Sequence, residues 1–291
     1  MRVDSNAKIN LGLKVLGKRA DGFHDLLSVF QEVDFGDEMS IEAVDGTLDV
    51  TCRGQRAPDG RDNLAYRAAN ELRKACKNND LGARIHIEKA IPLGGGLGGG
   101  SSNAAQALLV LNSLWELNFE SNRLRQIAEG VGSDVPFFVS GGTAVVTGRG
   151  EHVQPIDFSG NLALVLVFPG FSVPTPWAFS NLNTTLTSET PYIRFLNSVP
   201  GPVKVDLLEL FPLLENDFLP LVSARYPSIE RILAVLRSEG ALGVTMSGTG
   251  ATLVGGFLHE ADAHSAADDL QDQGYETRVC RPVRRERQQD R

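Results

Sequence analysis

The sequence predicts an α+β fold, and three observations predict it. The first half opens with strand patterns that are not interleaved with helices, and the period turns helical only near residue 62. The second half, from about residue 160, reads strand, helix, strand, strand, helix, strand. That is the split β-α-β-β-α-β order of a ferredoxin-like domain. Between these, residues 92–102 form a glycine run that leads directly into an apolar helical pattern.

In chain order, Ile9 to Leu16 is the first strand candidate, and Asp21-Gly22 supplies turn chemistry after it. Leu27 to Val33 is the second strand. Gly36-Asp37 marks another turn, after which Met39 to Val44 alternates apolar and polar, as do Leu48, Val50 and Cys52. From Asp62, a candidate N-cap, Leu64, Ala65, Ala68, Ala69, Leu72, Ala75 and Cys76 recur at helical spacing. A strand at Arg84 to Lys89, the glycine run and a helix over roughly Ser102 to Trp115 follow. Leu124, Ile127, Ala128 and Val131 mark a helix that ends at Gly132. The segment Gly132-Ser133-Asp134-Val135-Pro136 then breaks the chain before a strand at Thr143 to Thr147.

In the second half, Leu162 to Phe168 is a buried strand, and Phe171 to Tyr226 is rich in Pro, Asn, Ser and Thr. That stretch holds short helices at best, and such segments are often binding loops. A helix capped at Ser228 runs through Leu236, strands follow at Gly243 to Met246 and Thr252 to Phe257, and a helix (Glu260 to Gln271) and a strand (Tyr275 to Val279) close the order.

The 291 residues suffice for two ordinary domains or one large one. With 42% apolar and 22% charged residues the composition is that of a soluble globular protein, not a disordered or membrane chain. The longest apolar run, Leu162 to Phe168, is far too short to span a bilayer. The N-terminal residues contain no apolar signal segment. Cys52, Cys76 and Cys280 are odd in number and lack metal-type spacing, which fits a reducing cytoplasm. A net charge of −8 argues against nucleic acid as a partner. The five arginines from Arg281 onward read as a solvated, frayed end. No internal repeat is present.

The glycine run carries the chemistry. Six of the seven residues Gly94 to Gly100 are glycine, broken only by Leu97. Such a run is expected as a tight loop whose N–H groups approach a ligand with no Cβ in the way. The following helix points its N-terminal N–H groups and positive dipole end at the same place, so an anion, above all a phosphate, is the natural occupant. A Walker A loop is excluded, because Ser101 and Ser102 follow the glycines with no lysine between. A dinucleotide pattern matches formally at Gly94, Gly96 and Gly99, but in so glycine-rich a run the match discriminates little. A serine-ended glycine loop of the small-molecule kinase type is the third reading. A second glycine turn, Met246-Ser247-Gly248-Thr249-Gly250-Ala251, is either a plain hairpin turn or a cover for the same phosphate site. Taken singly, each has two readings: Lys8 an edge-strand charge or a site cation, Asp134 a helix or turn cap or a general base, and Asn63 a helix cap or a nucleotide contact.

Three motifs stand in a fixed order: Ala7-Lys8-Ile9-Asn10-Leu11, then Pro92 through Ala105, then Ser247-Gly248-Thr249-Gly250-Ala251. In this order the chain resembles the GHMP kinase superfamily, from about Ala7 to about Phe257. Arg19 to His24, Gly132 to Pro136 and Pro169 to Pro176 extend the resemblance. It implies a two-domain α+β fold. An N-terminal ribosomal-protein-S5-like ATP-binding domain would cover residues 1–158, and a C-terminal ferredoxin-like domain residues 159–291.

The implied reaction, in the non-mevalonate route to isoprenoids, moves the γ-phosphoryl of ATP, with Mg²⁺, to the 2-hydroxyl of a cytidine-diphosphate-linked methylerythritol. Homoserine or mevalonate as substrate is the alternative, and a non-catalytic nucleotide-binding member of the fold is another. By the same resemblance Asp134 is the general base, and Lys8 sets its ammonium between the substrate hydroxyl and Asp134. Pro92, Leu93, Gly94, Gly95, Gly96, Leu97, Gly98, Gly99, Gly100, Ser101 and Ser102 wrap the triphosphate. Asn63 touches the adenine. Phe23, His24 and Phe179 serve the cytosine, with Phe23 where many members carry tyrosine. Asn10 contacts the substrate and Thr175 its methylerythritol end. The metal ligands are unassigned, and a cytoplasmic monomer or weak homodimer is expected, without nucleic-acid or membrane partners.

Overall fold

The first two strands run further than the sequence patterns indicate. In the computed structural model, which describes residues 1–55, 57–182, 190–197 and 204–284, β1 spans Arg2–Lys18 and β2 spans His24–Asp45. The turn expected at Gly36-Asp37 does not form, and β2 passes straight through it. Gly36 is there for close approach, since a Cβ on it would lie 2.6 Å from the Ser5 carbonyl oxygen. Asp37 is buried and bonded, not solvated as a turn aspartate would be.

The described chain packs as two units. One is Met1–Ala7, Phe35–Leu93 and Gly98–Ser140; the other is Lys8–Asp34, Gly94–Leu97 and Gly141–Arg291. In the first unit β3 (Leu48–Gly54) is followed by α1 (Leu64–Cys76), β4 (Leu81–Lys89), α2 (Gly99–Leu114), α3 (Ser121–Glu129) and α4 (Val135–Ser140). The far half of β2, Glu38 to Asp45, pairs antiparallel with β4, and β3 pairs parallel with β4. Alternate residues Met39, Ile41, Ile85 and Ile87 are buried with Ala65, Ala68, Leu72, Leu108 and Leu111 of the helices. Asn63, not Asp62, caps α1, its side chain accepting from Ala65 N at 2.8 Å. The helix after the glycine run starts three residues earlier than expected, at Gly99. Gly99 is buried there, and a Cβ would press on Ile91 at 2.9 Å, so the end of the run is a packed helical turn, not open loop. The sequence reading missed α4, whose Val135 to Val139 are all buried and too few to display a period.

The second unit contains β5 (Thr143–Gly148), β6 (His152–Ser159), β7 (Ala163–Phe168), α5 (Thr175–Asn181), α6 (Pro191–Asn197), β8 (Lys204–Asp206), α7 (Leu207–Leu210), α8 (Leu219–Arg225), α9 (Ser228–Ser238), β9 (Gly243–Met246), β10 (Leu253–Phe257), α10 (Glu260–Asp272) and β11 (Glu276–Cys280). The near half of β2 pairs antiparallel with β5, β5 with β6, and β6 pairs parallel with β8. Pro155 hid β6 from the sequence reading, because a proline within a run demotes it as a strand. The remaining strands form a four-stranded antiparallel sheet in the order β11-β7-β10-β9, the expected ferredoxin-like arrangement. Helices α9 and α10 cover it through Ile232, Leu233, Leu236, Ala263, Ala266 and Leu270. Among the described residues no helix is long and apolar enough to cross a membrane.

Candidate active site

The second unit brings together one part of each of the three sequence motifs: Lys8–Leu11, Gly94–Leu97 and Ser247–Ala251. Lys8 N donates to Leu97 O at 3.0 Å, and Asn10 N donates to Ser247 Oγ at 3.1 Å. Ser247 Oγ donates in turn to Gly96 O at 2.9 Å, and Thr252 N donates to Gly95 O at 3.3 Å. The glycine segment Gly94–Leu97 is therefore clasped between β1 and the turn that joins β9 to β10. Gly96 has φ +78°, and a Cβ on it would stand 2.1 Å from Ser247 O. The turn is held from below by Asn216, whose Nδ2 donates to Met246 O at 2.6 Å and to Gly248 O at 2.9 Å. No sequence feature singled out Asn216.

Lys8 is buried, and its ammonium donates to Asn10 Oδ1 at 2.6 Å while standing 4.3 Å from the Phe30 ring centroid. A cation so placed over a ring face is attracted by the ring quadrupole. Asn10, also buried, gives its other amide end to Ser28 Oγ at 2.9 Å. Further along β1, Lys14 pairs with Asp217 at 2.6 Å and Glu215 at 3.2 Å. Burial works to lower its pKa, but the hydrogen bonds and charges of Asp217 and Glu215 outweigh it and hold it above the ordinary lysine value. Tyr192 on α6 is wholly buried, its hydroxyl donating to Leu11 O at 2.6 Å and accepting from Val29 N at 3.1 Å. Burial pushes its phenol well above the usual range.

The aromatic candidates lie in the same unit. His24 and Phe179 stack directly, centroids 5.0 Å apart and planes 28° off parallel. Rings so close hold nothing between them, so a base would stack on the outside of the pair. Phe23 is 54% exposed, with the Arg149 guanidinium 4.8 Å from its ring centroid. Its loop is tied by Asp21, which accepts from Phe23 N at 3.1 Å and pairs with Arg19. Thr175, exposed at the start of α5, is 3.2 Å from the Thr249 hydroxyl of the glycine turn. Arg149 was not among the sequence candidates, and Thr249 entered only as part of the second glycine turn.

The first unit holds the other share. Pro92 is half-buried, Leu93 is 47% exposed, and Gly98 at φ +68° leads into α2. Ser101 is half-buried, whereas Ser102 is buried and its Oγ accepts from Ser5 Oγ at 2.8 Å. Behind Ser102 lies a fully bonded polar cluster. Asn103 Nδ2 donates to Ser5 Oγ at 2.8 Å and to Asp37 Oδ2 at 2.9 Å, and Lys89 donates to Asp37 and to Asn103 Oδ1. Asp37 Oδ1 accepts from Ala90 N at 2.8 Å and Ile91 N at 2.9 Å, so the cluster fixes both the chain entering the glycine run and the helix leaving it. Sequence spacing could not reveal this cluster, whose members lie up to 98 positions apart. Asn63 is spent on the α1 cap and on Pro58 O, 2.8 Å from its Nδ2. Asp134 is half-buried at the threshold of α4, where Val135 N donates to Gly132 O at 3.1 Å. The buried apolar face of α4 against α2 and α3 sets its position. Among the described residues no three His, Cys, Asp or Glu side chains form a metal cage.

The sequence matches the GHMP kinases N terminal domain over residues 63–142 and the GHMP kinases C terminal domain over residues 205–276. A 4-diphosphocytidyl-2-C-methyl-D-erythritol kinase of Citrifermentans bemidjiense is 39% identical over 279 residues, covering 95% of this chain and 97% of the relative. The chain belongs to the GHMP kinase family. Within the family it stands with the 4-diphosphocytidyl-2-C-methyl-D-erythritol kinases. A crystal structure of a 4-(cytidine 5'-diphospho)-2C-methyl-D-erythritol kinase is similar to this kinase with a TM-score of 0.80 and 32% identity, over 97% of the one and 100% of the other. A homoserine kinase from Cytophaga hutchinsonii has a TM-score of 0.69 at 17% identity, over 96% of this chain and 95% of its own, and shares the fold alone.

Proposed function

We propose that this kinase transfers the γ-phosphoryl of ATP to the 2-hydroxyl of 4-diphosphocytidyl-2-C-methyl-D-erythritol, giving the 2-phosphate and ADP, a step of the non-mevalonate isoprenoid route. The observation that carries the reading is the meeting of Lys8–Asn10, Gly94–Leu97 and Ser247–Gly250 in one hydrogen-bonded cluster, joined by the Ser247 Oγ bond to Gly96 O at 2.9 Å. Relatives of this identity and coverage carry the name of that activity.

Phosphoryl transfer asks the protein for positioning and charge stabilisation. Residues 92–102 cradle the triphosphate with backbone N–H groups and the Ser101 and Ser102 hydroxyls, and Asn63 borders the adenine. Asp134 accepts the proton of the substrate hydroxyl as its oxygen bonds to the γ-phosphorus and the bond to the ADP oxygen breaks. Lys8 neutralises charge that builds on the transferring group. Asn10, two residues along β1 from Lys8, contacts the substrate. The cytosine stacks on the outer faces of Phe23, His24 and Phe179, and Thr175 meets the methylerythritol end. Mg²⁺, when bound with the nucleotide, would supply neutralisation of phosphate charge. With no carboxylate cage among the described residues, the donor set suits an ion that arrives on the nucleotide and adds one or two protein oxygens. The Ser101 and Ser102 hydroxyls would supply those oxygens. A division into domains 1–158 and 159–291, a cytoplasmic location and a monomer or weak homodimer belong to the same proposal.

The test is coupled ADP release with ATP, Mg²⁺ and the cytidylyl substrate, beside mevalonate and homoserine. Turnover confined to the cytidylyl substrate is expected. Turnover with mevalonate or homoserine alone would overturn the substrate assignment, and ATP binding without any turnover would overturn catalysis.

A further inference from the structure

The hydrogen bonds around Lys8 can run in one direction only. An ammonium donates and never accepts, so the amide atom 2.6 Å from Lys8 Nζ is the Asn10 carbonyl oxygen. The other amide end, Nδ2, then faces Ser28 Oγ at 2.9 Å. Ser28 can accept there because its own proton goes to Gly12 O, 2.6 Å away. If the amide were reversed, two donors would face each other at Lys8, and the carbonyl would meet a serine oxygen whose proton is already committed. Lys8, Asn10 and Ser28 are each no more than 4% exposed, so water does not offer the amide alternative partners.

We infer that Ser28 is a positioning residue of the phosphoryl transfer: through its bond to Gly12 O it locks the Asn10 amide with the carbonyl on Lys8, and so fixes the ammonium. The inference rests on the reading that Lys8 acts in the reaction. Ser28 touches neither nucleotide nor acceptor in this account. Without its hydroxyl the Asn10 Nδ2 end loses its acceptor, the amide is oriented by the lysine contact alone, and Lys8 loses a firmly held partner.

The experiment is steady-state kinetics on the full chain with ATP and the cytidylyl substrate. Ser28→Ala is expected to lower kcat about tenfold, the upper end of the scale of one neutral hydrogen bond, and to leave KM for ATP within about twofold. Ser28→Thr keeps the hydroxyl and is expected to restore kcat. In a Lys8→Met background, which retains only residual turnover, Ser28→Ala is expected to add nothing. A wild-type kcat for Ser28→Ala, or an equal further loss in the Lys8→Met background, would overturn the inference; the second result would mark a general packing defect. Should Ser28→Ala fail to fold by circular dichroism, Ser28→Cys, of similar volume but a weak donor, is expected to lie between alanine and threonine. A cysteine variant equal to wild type would then overturn the inference. Full turnover by Lys8→Met would remove Lys8 from the reaction and the inference with it. A silent Ser28→Ala beside a crippled Lys8→Met overturns the inference alone.

Discussion

Replacing Gly96 by alanine probes the clasp on the glycine segment. The added methyl meets two obstacles. The backbone at φ +78° is left-handed, and the Cβ would lie 2.1 Å from Ser247 O and 2.8 Å from Ser247 C. The first obstacle costs an L-residue about 1–2 kcal/mol, and forcing packed backbone apart adds about 1–3 kcal/mol, so the expected loss is about 2–5 kcal/mol. Relief of the clash must also stretch the 2.9 Å bond from Ser247 Oγ to Gly96 O. Gly240→Ala separates the two contributions, because Gly240 has φ +90° with nothing within 4 Å of a Cβ. It is expected to lose only the conformational part, about 1–2 kcal/mol. Urea denaturation of both variants measures the difference, provided the m-values agree. KM for ATP is expected to rise in Gly96→Ala and to stay at the wild-type value in Gly240→Ala. Equal stability losses in the two variants, or an unchanged KM in Gly96→Ala, would refute the argument that Ser247 and Gly96 form a close clasp on the nucleotide loop.

Asp134→Asn is expected to lower kcat by a factor of about 10² or more while nucleotide binding, followed by fluorescence titration, stays near wild type; activity within a few-fold of wild type would take Asp134 out of the base role. Lys89 and Asp37 form a buried pair at 1% and 0% side-chain exposure, so Lys89→Met is expected to cost about 3–5 kcal/mol by orphaning a carboxylate. Adding Asp37→Asn removes that charge, keeps an acceptor for Ala90 N and Ile91 N, and is expected to recover part of the loss; a double variant no more stable than the single would contradict this. Lys14 has its folded pKa above the unfolded value, so its contribution to stability is complete below about pH 10.4 and is lost as pH rises through the folded pKa. The stability deficit of Lys14→Met is therefore expected to shrink in urea titrations carried from neutral to strongly alkaline pH, and a constant deficit would count against the ion pairs.

The ferredoxin-like half was legible because each element there carries its own period and punctuation. Leu162 to Phe168 is apolar throughout and forms a strand buried on both faces, and the glycine turn after Met246 separates two strands within a residue of their expected limits. The first half was harder because its chemistry lies in close approach. Gly36-Asp37 has the composition of a turn, yet the glycine admits the Ser5 backbone and the aspartate accepts two N–H groups at the entry to the glycine run. A one-dimensional pattern cannot distinguish a glycine that bends the chain from one that lets another chain segment through. The site was legible as motifs because backbone-binding loops need glycine in quantity. Their supports were not legible, since Ser28, Asn216 and Asn103 are ordinary polar residues whose partners are distant in sequence.

Those supports follow one design twice. In the first unit Lys89 donates to Asn103 Oδ1, Asn103 Nδ2 donates to Ser5 Oγ, and Ser5 donates to Ser102 Oγ. In the second, Lys8 donates to Asn10 Oδ1, Asn10 Nδ2 donates to Ser28 Oγ, and Ser28 donates to Gly12 O. A lysine at one end fixes the polarity of the whole series, because an asparagine offers one accepting and one donating end and a serine passes the direction on. Buried and fully bonded, such a series has a single low-energy arrangement, whereas a half-satisfied one would cost more than an apolar core. The two series differ in what else meets the ammonium in its own unit. Asp37 neutralises Lys89 where it stands, and the pair anchors the ends of the glycine run. The Phe30 ring faces Lys8, its centroid 4.3 Å from the ammonium. The same Lys-Asn-Ser order thus serves as an anchor in one place and, on the proposed reading, holds a working cation in the other.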